Sequence, residues 1–103
     1  MSVVIVATIH PLPEHRAEVI ATFEDTIARV HAEDEGCHLY ALHEGDDRLV
    51  MIEKWASKEA LASHSRGGAL ADLTLLLDGK LLGGLDVQVL QPHPAGTTLQ
   101  GTI

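Results

Sequence analysis

The sequence predicts an α+β fold in which a four-stranded antiparallel sheet carries its helices on one face. Two observations predict it. A β-branched run opens the chain. The apolar periodicity then changes between strand-like and helix-like in the order strand, helix, strand, strand, broken helix, strand. That order is the ferredoxin-like split β-α-β arrangement, with the first and third strands side by side in the centre. With 103 residues the chain makes one domain, close to the size at which burial becomes limiting.

Each element has its own signal. Val3-Val4-Ile5-Val6-Ala7-Thr8-Ile9-His10 is a strand with both faces covered, ended by Pro11 and Pro13. A helix from about Glu14 to Ala32 follows, with Val19, Ile20, Phe23, Ile27 and Val30 as one apolar stripe. Gly36 supplies the left-handed residue that helix ends favour. The second strand runs from Cys37 to Glu44 and the third from Arg48 to Trp55, joined by Gly45-Asp46-Asp47 as a hairpin connection. Ser57 is placed to cap the next helix, which Gly67-Gly68 bends or restarts before Ala69 to Leu77. Leu85 to Leu90 is the last strand. Residues 1–91 thus form the domain, and 92–103 form an extended tail rich in Pro, Gly and Thr.

Both faces of the central strands are apolar. Val3, Ile5, Ala7 and Ile9 share one face with Leu49, Met51, Glu53 and Trp55, while Val4, Val6, Val50 and Ile52 occupy the other. An antiparallel sheet wetted on one side should alternate apolar with polar residues. Helices in so short a chain cover one face, so a homodimer packing sheet on sheet is expected, with cover by the tail as the alternative. Leu99 and Ile103 suggest that the tail is exchanged with the partner as an added strand.

Composition excludes several functions. Fifteen acidic against seven basic residues give a net charge of −8, with no basic stripe, so neither nucleic acid nor an anionic membrane surface is an expected partner. The single Cys37 forms no intrachain disulfide or Cys-x-x-Cys pair, and a reducing cytoplasm is the expected compartment. Seven histidines invite a metal site, but His10, His15, His31, His38 and His93 are scattered without ligand spacing, so no metal is expected. The glycine pairs lack the spacing of a nucleotide-binding loop.

The strongest functional lead is Trp55, the only tryptophan, followed by His64 two turns into the next helix. Trp55 either stacks on an aromatic ligand or simply packs at the strand end, donating its N–H to a backbone carbonyl. His64 either accepts a proton from a ligand or sits satisfied on the helix surface. Glu53 shares the face of Trp55, where it orients His64, holds a substrate hydroxyl or, as favoured here, forms a structural ion pair with Arg48, Arg66 or another cation. His43 is assigned to the helix-side cleft, which sends Tyr40 to the core or the dimer interface.

The chain resembles the antibiotic biosynthesis monooxygenase family from Val3 to about Pro92. The resemblance rests on the opening Val3–Ile9 strand, on Gly36-Cys37-His38-Leu39-Tyr40-Ala41-Leu42-His43, and above all on Glu53-Lys54-Trp55-Ala56-Ser57-Lys58-Glu59-Ala60-Leu61-Ala62-Ser63-His64. It implies a dimeric α+β barrel and oxygenation of a hydroxylated polycyclic aromatic or quinol by molecular oxygen without a cofactor. Trp55 and His64 would be catalytic, and His43, Glu53, Met51, Ala7 and Leu61 would bind the substrate. A haem-degrading branch of the same superfamily also uses a strand tryptophan and a helix histidine, which here would make His64 the axial ligand. That branch has an asparagine where this chain has Ala7, which counts against haem. A non-enzymatic module for a small apolar ligand is the remaining alternative.

Overall fold

A computed structural model describes all of residues 1–103. The chain runs β1 (Val3–Ile9), α1 (Arg16–Glu33), β2 (Cys37–Glu44), β3 (Leu49–Trp55), α2 (Lys58–Ser65), α3 (Gly68–Leu77), β4 (Asp86–Leu90) and α4 (Thr98–Gly101). A 3-10 turn at Pro13–His15 leads into α1, because a proline fits the first turn of a helix, where its missing N–H costs nothing. Ser57 caps α2 by accepting from the Ala60 N–H at 3.1 Å. Gly67 ends that helix, and α3 restarts at Gly68. Gly68 lies where a β-carbon would come within 2.8 Å of Arg29 Nη2, so α3 crosses α1 closely there. No helix is long and apolar enough to cross a membrane.

The sheet is antiparallel with strand order β2-β3-β1-β4. The expected central pair is present, with Ile5 opposite Glu53, Ala7 opposite Met51 and Ile9 opposite Leu49. The expected barrel is not. β2 and β4 stand at opposite edges, each paired with one neighbour only, so the sheet is open rather than closed. The split β-α-β connectivity itself sends the second and last strands to the two outer positions.

Register in the β2–β3 hairpin also corrects the sequence reading. A three-residue turn would put odd positions of both strands on one face. The turn instead contains four residues, Gly45 to Arg48, closed by the Gly45 N–H donating to the Arg48 carbonyl at 2.8 Å. An even turn pairs odd with even, so Tyr40 stands opposite Glu53, and His43 stands opposite Val50. Tyr40 therefore faces the helices and His43 faces away from them.

The core lies between the helix-side face and α1 and α3. Trp55, Ile9, Leu49, Met51, Val19 and Val30 are its largest fully buried side chains. Truncating any of them to alanine should cost about 2–5 kcal/mol. Cover stops short of β4, where Val87 and Val89 remain more than half exposed on the helix side. On the helix-free face Val4 is buried, while Val6, Leu39, Ala41, Val50 and Ile52 are half-buried by their strand neighbours. The tail differs from the extended arm expected: Thr98–Gly101 closes one helical turn, and the Ile103 carbonyl accepts from Lys54 Nζ at 2.7 Å.

Candidate functional site

Between the helix-side face and helices α2 and α3 lies an apolar cavity of about 230 Å³. Ile5, Ala7 and Met51 form its floor, and Leu61, Leu70 and Leu73 its roof. Leu85, Val87 and Val89 border the side that the helices leave open. Of its 15 lining residues, 12 are hydrophobic, and the other three are Glu53, His64 and Ser65. Whatever enters is therefore recognised by few polar groups, and those groups decide orientation.

Glu53 reaches this cavity because strand alternation puts it between Met51 and Trp55 on the buried face. The ion pair favoured from sequence is not formed, since Arg48 pairs with its neighbour Asp47 in the turn. Instead the Trp55 indole N–H donates to Glu53 Oε1 at 2.8 Å, with both residues buried. Burial pushes the Glu53 carboxyl above its ordinary range, partly opposed by that donor and by His64. Burial likewise raises the Tyr40 phenol well above its usual value, reinforced by the carboxylates of Glu53 and Asp34. Tyr40 is thus held protonated, as a donor. Cys37 is raised for the same first reason, and the thiol is not activated.

His64 is brought to this place by a close junction. Gly36 has φ of +78°, and a β-carbon on it would lie 2.7 Å from the Ala60 β-carbon. The Ala56 N–H donates to the Gly36 carbonyl at 2.8 Å, so the start of α2 is seated on the α1–β2 turn. Asp34, in that turn, accepts from His64 Nδ1 at 2.6 Å. The imidazole stacks on Trp55 with centroids 4.4 Å apart and planes 31° apart, while Tyr40 meets it edge-on at 5.4 Å.

Among buried side chains no nitrogen or oxygen sealed from solvent lacks a partner. The Tyr40 hydroxyl, the second Glu53 oxygen and His64 Nε2 bond nothing in the protein, so they are the atoms that reach open space. All three residues line the cavity. On the Asp34 side of His64 lies a larger open pocket of about 590 Å³, bordered by Glu33, Asp34, Glu35 and Glu59 with only two hydrophobic residues. Its carboxylates suit water and cations; the smaller cavity suits an apolar ring.

The residues singled out from sequence divide accordingly. Ala7, Met51, Glu53, Leu61 and His64 meet around the cavity. Trp55 is fully buried and absent from the wall; it packs against His64 and donates to Glu53. His43 lies exposed on the opposite face with its Nδ1 near the Ala41 carbonyl, removed from the cleft by the even turn. Tyr40 takes the cleft position that the sequence reading assigned to His43. Asp34 was hidden in an acidic turn; its signal was proximity to Gly36, the residue that lets the two elements touch.

The family model described as antibiotic biosynthesis monooxygenase matches residues 2–73. Comparison with curated proteins finds no match. Among solved structures, Rv0793 from Mycobacterium tuberculosis superposes with a TM-score of 0.86 at 24% identity, covering 94% of this chain and 100% of that one. A candidate antibiotic biosynthesis monooxygenase from Caulobacter crescentus CB15 gives 0.82 at 25% identity, covering 86% and 87%. A conserved protein from Methanosarcina mazei Go1 gives 0.81 at 21% identity, covering 88% and 92%.

Proposed function

The chain belongs to the antibiotic biosynthesis monooxygenase family, and we propose that it oxidises a hydroxylated polycyclic aromatic or quinol with molecular oxygen and no cofactor. The observation that carries this reading is that Tyr40, Glu53 and His64 line one otherwise apolar cavity, each with a polar atom that bonds nothing in the protein. Ground-state oxygen is a triplet, so it accepts one electron at a time, and only an electron-rich carbanion or phenolate supplies it readily. His64 Nε2 takes the proton that makes the substrate an anion. The Tyr40 hydroxyl donates to the oxygen on which charge develops. Glu53 holds a second substrate hydroxyl through its free oxygen.

The anion passes one electron to oxygen, and the radical pair closes a carbon–oxygen bond. His64 returns its proton to the resulting peroxide. Loss of water then leaves a carbonyl where a CH2 stood: CH2 and O2 give C=O and H2O, with all four electrons coming from the substrate. Between those steps the imidazolium lies against the Asp34 carboxylate and the Trp55 ring face. Oxygen uptake with dihydroxynaphthalenes and anthrones tests the proposal. The wild type consumes oxygen, and His64→Ala lowers the rate by roughly 10²-fold or more; an unchanged rate contradicts it.

The protein also acts as a homodimer under this reading. Val6, Leu39, Ala41, Val50 and Ile52 are left only half-buried on the helix-free face, and a partner sheet would complete their cover. Sedimentation should give twice the 11.1 kDa chain mass, and Ile52→Asp should shift it to the single-chain value.

A further inference from the structure

We infer that Asp34 is a positioning residue for His64: its carboxylate holds the imidazole as the Nδ1–H tautomer, which leaves the Nε2 lone pair facing the apolar cavity. The inference rests on the reading of His64 as the proton acceptor, and adds the device that sets which nitrogen does the work. A carboxylate only accepts hydrogen bonds, so the 2.6 Å contact between His64 Nδ1 and Asp34 Oδ2 requires the proton on Nδ1. A neutral imidazole carries one N–H, so the other nitrogen is then a bare acceptor.

Competing partners are engaged elsewhere. Glu53, the other carboxylate near the ring, is bonded through Oε1 to the Trp55 N–H. Trp55 lies against one ring face at 4.4 Å and Tyr40 presents an edge at 5.4 Å, so the imidazole has little freedom to turn over. The side chains of His64 and Asp34 are only 4% and 16% exposed, so water competes weakly for Nδ1. Glu33, Glu35 and Glu59 border the same pocket as Asp34, but none of them bonds the ring.

Asp34 is held by the backbone and not by its own side chain. Its N–H donates to the Val30 carbonyl at 3.0 Å, which ends α1 whatever the side chain is. Asp34→Asn therefore keeps the turn while offering either an oxygen or an NH2 to Nδ1, and the tautomer is no longer dictated.

Two readouts test this in the full-length chain. Long-range 1H–15N NMR at a pH where the ring is neutral, with His64 assigned by its loss in His64→Gln, should give the Nδ1–H pattern in the wild type. Asp34→Asn should populate the Nε2–H form and lower kcat by roughly 10–10³-fold with KM changed far less. A wild-type Nε2–H ring, or an Asp34→Asn variant with the wild-type tautomer and kcat, overturns the inference. The NMR arm needs no substrate. If the tautomer moves as expected while no dihydroxyarene is oxidised by the wild type, the oxygenase reading fails and the positioning role of Asp34 stands.

Discussion

Replacing Trp55 by phenylalanine separates the packing of the indole from its hydrogen bond. The phenyl ring keeps an apolar group beside His64 but removes the donor that reaches Glu53 Oε1 at 2.8 Å. At pH 8 that oxygen is left buried without its partner, at a cost of about 2 kcal/mol. The three missing ring atoms leave a partial void in a site with no solvent exposure, adding ~1 kcal/mol. The expected loss is therefore about 3 kcal/mol. At pH 4 the carboxyl is largely protonated in the native state, because burial already raises it and losing the Trp55 donor raises it further. A neutral acid tolerates burial better, so the loss should shrink to roughly 1 kcal/mol. Urea denaturation at both pH values, at one fixed chain concentration, measures the difference. The Glu53→Gln background provides the cycle: the pH-dependent part of the Trp55→Phe loss should vanish there. An equal loss at pH 4 and pH 8 in the parent chain would refute the argument that the indole serves the carboxylate.

Three further outcomes follow from the same geometry. Glu53→Gln should raise the urea midpoint at pH 8 and leave it unchanged near pH 4. A native carboxyl with a raised pKa binds more protons than the unfolded one, so wild-type stability falls as pH rises through that window. Gly36→Ala should cost ~2 kcal/mol or more in denaturation, because φ is +78° and the new methyl meets Ala60 at 2.7 Å. Tyr40→Phe should change stability by less than ~1 kcal/mol, since the hydroxyl bonds nothing in the protein, yet slow oxygen uptake by roughly 10²-fold.

How far the sequence could be read depended on which interactions are local. Strand and helix identities follow from periodicity, and the Val3–Ile9 and Leu49–Trp55 faces follow from the pairing of two central strands. The face of β2 was misread because it hangs on one residue: Arg48 belongs to the turn, and a four-residue turn inverts the pairing that a three-residue turn would give. That single step moved His43 out of the site and Tyr40 into it. Trp55 and Glu53 were correctly placed on one face, but side chains two residues apart on a strand seldom bond each other, so their mutual hydrogen bond was not expected. Asp34 and His64 are 30 residues apart, and only the close seat of α2 on Gly36 joins them. The closed barrel was inferred from resemblance alone, and the strand order leaves β2 and β4 as open edges.

The most direct test is an anaerobic titration of 13C-methyl-labelled protein with a dihydroxynaphthalene, followed by NMR. Saturable shifts concentrated on Ile5, Met51, Leu61, Leu70 and Leu73 are the predicted result. Methyl shifts confined to residues outside that hollow, such as Leu76 or Leu99, or no saturable binding at all, would contradict the account.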